Sequence, residues 1–254
     1  LIAALDREPP AVRIATAGLL AEFAADAADQ AALGRLERLA HEDSAAEVRA
    51  AAIVALADVG DARSATVVEA ALQDRDADVR LAAAGACPGF CTTDAALGAL
   101  ARMAVSAANT GHALAARRVL TTIREHGETA AAAEAATRRA AEATLAPDAG
   151  ASSAQQVQAA LLLADVGDSR GERLLLAAAG KPPVPALRVH AVYALGRVGG
   201  AQSVDVLAVL LRDPGVAPYA VDALTRLAKR GVAGAPEALD AYHGPRPSGP
   251  VPPP

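Results

Sequence analysis

Val48-Arg49-Ala50-Ala51-Ala52-Ile53-Val54-Ala55-Leu56-Ala57-Asp58-Val59-Gly60-Asp61 contains one helix and the signal that ends it. Alanine and leucine are strong helix formers. Gly60 can take the left-handed conformation that closes a helix. The polar run His41-Glu42-Asp43-Ser44 just before it supplies side chains that accept N–H bonds at a helix start and suit its positive end. The stretch predicts a helix from Val48 to about Val59, entered from a polar turn and closed by glycine.

Outward from this stretch the same sentence recurs. Gln155-Gln156 runs through Leu161-Leu162-Leu163-Ala164-Asp165-Val166-Gly167-Asp168. Leu187-Arg188-Val189-His190-Ala191-Val192-Tyr193-Ala194-Leu195 runs on to Gly199. Weaker copies start at Val12-Arg13, Val79-Arg80 and Val216-Ala217, and another around Ala116-Arg117 ends at Gly127. Markers at 13, 49, 80, 117, 156, 188 and 217 lie roughly 29 to 39 residues apart, the period of a solenoid built from helical hairpins. In each hairpin a first helix carries leucines at helical spacing, as in Leu33, Leu36 and Leu39 or Leu207, Leu210 and Leu211. A short turn such as Asp74-Arg75-Asp76 or Arg212-Asp213-Pro214 leads into the second helix.

Composition agrees with an all-α chain. Of 254 residues 71 are alanine, aromatic residues make up 2% and tryptophan is absent, which disfavours sandwiches and barrels. Only Lys181 and Lys229 are lysines, and net charge is −5, against the basic balance of a phosphate-gripping protein. Apolar runs are broken by charges well short of the roughly 20 residues a membrane span needs.

The acidic turn followed by Val-Arg and an Ala/Leu helix resembles the HEAT-repeat family, in particular its short bacterial form, the PBS-lyase HEAT-like repeats. The resemblance covers residues 1–243. It implies a right-handed α-solenoid of about seven hairpins. It also implies a ladder of Asp and Arg side chains between successive turns, carried here by Asp6 with Arg13, Asp43 with Arg49 and Asp74 with Arg80. Gln156 and Ala217 replace the arginine, and Lys181-Pro182-Pro183 replaces the acidic turn, so the ladder is expected to be interrupted there. Leu1-Ile2-Ala3-Ala4-Leu5-Asp6 is expected to be the end of a first helix whose beginning is missing, leaving the first hairpin truncated. Residues 244–254, rich in proline, are expected to form a disordered tail.

Few residues invite chemistry. Cys87-Pro88-Gly89-Phe90-Cys91 reads first as two buried small side chains in a turn that Pro88 and Gly89 deform, with a disulfide or a metal pair as the alternatives. The histidines at 41, 112, 126, 190 and 243 are scattered. No nucleophile elbow or phosphate loop is present in the sequence. Asp58 with Asp61 and Asp165 with Asp168 are a repeated helix-end solution, not acid–base pairs. No catalytic residue, cofactor or metal is therefore expected, and the chain is not expected to be an enzyme.

In the HEAT family the second helices line a concave face. Positions one and five residues after each marker are expected to point into it. The first set is Ile14, Ala50, Leu81, Arg118, Val157, Val189 and Pro218; the second is Gly18, Val54, Gly85, Thr122, Leu161, Tyr193 and Asp222. These are mostly apolar or small, as an interaction surface is. Ile14, Val54, Leu81, Arg118, Val157, Leu161, Val189 and Tyr193 are the candidate partner-binding residues. The opposing reading is that an alanine-rich helix is apolar all round and the phase is misplaced. The expected function is a non-catalytic scaffold for a protein or peptide, or for another segment of a longer polypeptide. A bilin-lyase-like or other HEAT-like enzyme subunit is the alternative. Nucleic-acid binding is disfavoured by the acidic balance. The compartment is not legible: the cytoplasm is the default, with a removed targeting segment left open.

Overall fold

A computed structural model describes residues 8–27, 30–106 and 109–242 of the chain. The expected partial helix at residues 1–6, Asp6 of the ladder, and the proline-rich segment 244–254 lie outside the described residues. Among the described residues there are fourteen α-helices and no strand. They are α1 (Pro10–Ala27), α2 (Gln30–Glu42), α3 (Ala46–Val59), α4 (Ala65–Ala71), α5 (Ala77–Phe90), α6 (Asp94–Ala104), α7 (Thr110–His126) and α8 (Ala130–Leu145), followed by α9 (Ser153–Asp165), α10 (Glu172–Gly180), α11 (Ala186–Val198), α12 (Ala201–Leu210), α13 (Ala217–Lys229) and α14 (Ala235–Asp240).

The helices fall into two compact units. The first comprises residues 1–103 and 114–136, the second residues 104–113 and 137–254. Within the first unit α1 packs on α3 and α3 on α5, while α2 and α4 pack beside α3 and α5 as hairpin mates. In the second, α9 packs on α11 and α11 on α13, with α10, α12 and α14 on the other layer. Each unit is thus an α-solenoid of stacked hairpins, and its core lies between the two layers. Leu36, Ile53, Leu56, Leu97 and Leu100 fill it in the first unit, and Leu162, Leu175, Leu187 and Leu195 in the second.

The caps follow the sequence in most places. Gly60 closes α3 in the left-handed region at φ 70° with its N–H on the Leu56 carbonyl, and Gly167 adopts φ 74° after α9. Gly199 ends α11 at φ −64°, so handedness is not its reason. A side chain there would meet the Leu195 carbonyl and Ser203 Oγ, each 2.5 Å from the added carbon. Pro88 lies inside the last turn of α5 and does not break it, contrary to the expected deformed turn. It removes one N–H bond in the last turn, and the exposed ring faces solvent. Cys87 and Cys91 are buried, but they are not free thiols: they form a disulfide across this turn.

Candidate interaction surface

The arginine markers anchor the turns. Arg13 makes two 2.8 Å bonds to the Asp43 carboxylate, Nε to Oδ2 and Nη2 to Oδ1. Arg49 repeats this geometry on Asp74. Each also donates back to its own turn, Arg13 to the Glu8 carbonyl and Arg49 to the Asp43 carbonyl. Arg80 keeps the second contact, on the Asp74 carbonyl at 2.7 Å. Burial alone would push the Asp43 carboxyl up, but Arg13, the Ala45 N–H and the charge of Arg49 hold it below the usual range. Arg49 does the same for Asp74.

The rung is missing where both halves are missing from the sequence. Gln156 keeps only the backbone contact, to the Ala151 carbonyl at 3.2 Å, and Lys181-Pro182-Pro183 offers no carboxylate. One repeat later Arg188 reaches Asp213 at 2.6 Å, so the ladder resumes. A second ladder, invisible to the motif search, runs through the first helices. Glu37 of α2 accepts from Ser64 Oγ. Glu69 of α4 accepts from the Thr92 and Thr93 N–H groups, and Glu172 of α10 from the Gly200 N–H and Ser203 Oγ. Each glutamate serves the start of the next first-layer helix, where a negative charge suits the helix dipole. It has no regular sequence signal, since α6 and α12 carry no Glu and α2 and α8 carry more than one.

The acidic pairs do structural work. Asp61 caps the short helical turn after α3 by accepting from the Arg63 N–H, and Asp168 does so from Arg170. The Arg63 guanidinium and N–H hold the Asp61 carboxyl at about 2. Asp165 is buried and receives Arg197 at 3.3 Å. Among the described residues no three metal-ligating side chains cluster. A hollow of about 310 Å³ near the first turn is lined by Arg13, Arg35, Arg38, Glu42, Asp43 and Ser44, and its Arg13 and Asp43 are already paired to each other.

The two units treat the expected concave positions differently. In the first, Gly18, Val54, Gly85, Thr122 and Arg118 are exposed and Ile14, Ala50 and Leu81 half-buried. Val54 is 51% exposed although it is a large apolar residue in the middle of a helix. No atom lies within 4 Å of where a side chain on Gly18 or Gly85 would begin. The result is an apolar, shallow strip across α1, α3 and α5. In the second unit Val157 and Leu161 are core residues, at 4% and 0% exposure, and do not face solvent. Their helix is enclosed on every side, with Val157 through Asp165 all buried, and lines no surface.

Val189 and Tyr193 on α11 are half-buried, and Pro218 on α13 is exposed. The Arg226 guanidinium lies 4.7 Å from the centre of the Tyr193 ring and its Nε donates to Asp222 at 2.7 Å. Arg226 is not among the expected concave positions, which lie one and five residues after the marker. It lies nine residues on, one helical turn beyond Asp222.

A model of HEAT repeats matches residues 1–88. No curated protein matches the chain. Among solved structures, human deoxyhypusine hydroxylase in complex with glycerol matches 90% of this chain and 84% of its own, at 16% identity and a TM-score of 0.34. No helix among the described residues is long and apolar enough to cross a membrane.

Proposed function

Residues 1–88 are HEAT repeats, and from that premise we propose that the chain is a non-catalytic scaffold binding an apolar segment of a partner protein along the solvent face of its second helices. The observation that supports this reading is Val54. A half-exposed valine with Gly18 and Gly85 at the matching places of the neighbouring helices makes an apolar strip without protruding side chains. A partner helix or extended segment can lie close to backbone there. Ile14 and Leu81, both half-buried, deepen the strip. In the second unit the corresponding anchor is Tyr193, held by Arg226, since aromatic and arginine side chains carry most of the energy where proteins meet.

The test is selection from a displayed peptide library on the full chain. Apolar sequences should be enriched, and Val54→Asp should weaken the selected peptides at least tenfold while leaving thermal unfolding unchanged. Peptides that bind Val54→Asp as well as the parent chain would remove the strip from the proposal.

A further inference from the structure

Among the described residues, three of the five large apolar side chains that are exposed lie on α1: Val12 at 42%, Leu19 at 55% and Phe23 at 62%. They are not on the concave strip. At about 100° per residue, they lie on the flank of the helix about a third of a turn from Gly18. They hold the places one residue before the arginine marker and six and ten after it.

Most of the same places are sealed in the helices that follow, although Val59, Gln155 and Val166 are half-buried. In α3 Val48 and Ala55 are buried, and in α5 so are Val79, Ala86 and Phe90. In α11 Leu187, Ala194 and Val198 are buried, and in α13 Val216, Ala223 and Leu227. What seals them is fixed by geometry. Arg49 leaves α3 toward Asp74 of the next turn, and Val48 and Ala55 lie about 100 to 120° round the helix from it, turned away from α5 and toward α1 and the hairpin mate α2, which both pack on α3. The α11–α13 contact shows the fit directly: a side chain on Gly196 of α11 would begin 2.6 Å from the Cα of Ala223. Leu19 holds in α1 the place Ala223 holds in α13.

We infer that the Val12–Leu19–Phe23 flank of α1 is a docking surface for one more hairpin of this same repeat type, seated on α1 as α3 is seated on α5. Its composition fits. The buried flank of α5 reads Val79, Ala83, Ala86, Phe90, and that of α1 reads Val12, Thr16, Leu19, Phe23. The side that α3 turns toward α5 carries Arg49, Ile53 and Leu56, and a helix with these residue types is the occupant assigned to α1. The arginine also has a carboxylate to meet. Asp6, outside the described residues, stands ahead of Arg13 in the sequence as Asp74 stands ahead of Arg80.

The probe is a fluorophore-labelled peptide with the sequence of residues 30–59, spanning α2 and α3, added to the full chain and followed by anisotropy. Saturable binding is expected. Leu19→Lys and Phe23→Lys should each weaken it at least tenfold and Asp6→Ala more mildly, while Val54→Asp leaves it unchanged and so separates this surface from the concave strip. Because an isolated hairpin folds poorly without neighbours, the same segment is also joined through a flexible linker ahead of Leu1. The fused chain should melt several degrees higher than the parent, and Phe23→Lys should erase the gain. No rise on fusion, or peptide binding indifferent to Leu19→Lys and Phe23→Lys, overturns the inference. A parent chain that is dimeric in solution and made monomeric by Phe23→Lys also overturns it, by assigning the surface to a second copy.

Discussion

Arg49 and Asp74 meet as a two-bond fork, 2.8 Å on each arm, between the second helix of one repeat and the entry turn of the next. The arginine side chain is 3% exposed and the carboxylate 14%. The pair joins positions 25 residues apart in sequence, so it ties neighbouring repeats together alongside their apolar packing and the glutamate contacts of the first helices. Asp74→Ala strands the guanidinium in a dry site, and removing one partner of such a pair costs about 3 kcal/mol. Replacing both with leucine avoids the stranded charge and should cost clearly less. Urea unfolding of the two single variants and the double variant reads the coupling; strict additivity would show the fork contributes nothing of its own.

The same carboxylates set the acid limit. The folded-state pKa values of Asp43 and Asp74 are lowered, Asp74 chiefly by its bonds from Arg49 and Asp43 by Arg13 against the opposing effect of burial. A lowered carboxylate contributes stability that is complete above its unfolded value of about 3.9 and is lost as pH falls through the folded value. The melting temperature should therefore be flat from neutral pH to about 5 and drop steeply below about 4. In Asp43→Asn/Asp74→Asn the curve should begin lower and lose most of this acid slope.

The repeat, the turns and the arginine ladder are legible in the sequence because each is set by a local rule: a period, a glycine, a Val-Arg pair. Which side of a helix meets solvent is not local. Val54 and Leu161 hold the same place in their repeats, yet one is exposed and the other sealed. The run Val157 to Leu163 is the available clue, since it goes right round the helix with Gln158 as its one polar residue. The disulfide was hidden for a different reason: two cysteines four apart in an alanine-rich helix suit plain burial as well as a bond. The glutamate ladder depends on helix starts in the next repeat, which single-helix patterns do not register.

That contrast makes a direct test of facing. Leu56, Leu161 and Leu195 are fully buried, and an aspartate at any of them forces an unpaired charge into the interior at a cost of several kcal/mol. Val54→Asp places the charge in water and should shift the thermal midpoint by a degree or two at most. Circular dichroism melts of the four variants decide it: Leu161→Asp as benign as Val54→Asp would put α9 on the surface.

Gly196 gives a packing test between α11 and α13. The first carbon of any side chain there would lie 2.6 Å from Ala223 Cα and 3.0 Å from its Cβ, and both are held by helix backbone. Gly196→Ala gains helix propensity, worth about 1 kcal/mol. Forcing the helices apart costs about 1 to 3 kcal/mol, so the net is destabilising. Gly85, where nothing lies within 4 Å, should show the propensity gain alone. Opposite signs for Gly196→Ala and Gly85→Ala in chemical denaturation are the expected outcome.

Gln158 on α9 runs the other way. Its side chain is buried at 1% exposure, and neither its Nε2 nor its Oε1 has a hydrogen-bond partner. An amide taken from water without compensation costs about 1 to 3 kcal/mol. Leucine and methionine have nearly its volume, keep helix propensity and carry no such penalty. Its neighbours along the helix, Val157, Ala159, Leu161 and Leu162, are all apolar and buried, so the environment already suits a hydrocarbon. Gln158→Leu and Gln158→Met should each raise the melting temperature by several degrees, and Gln158→Glu, which adds a charge in the same shape, should lower it. If leucine destabilises instead, the amide is satisfied in solution by bound water, and the second unit's core is wetter around α9 than its apolar lining implies.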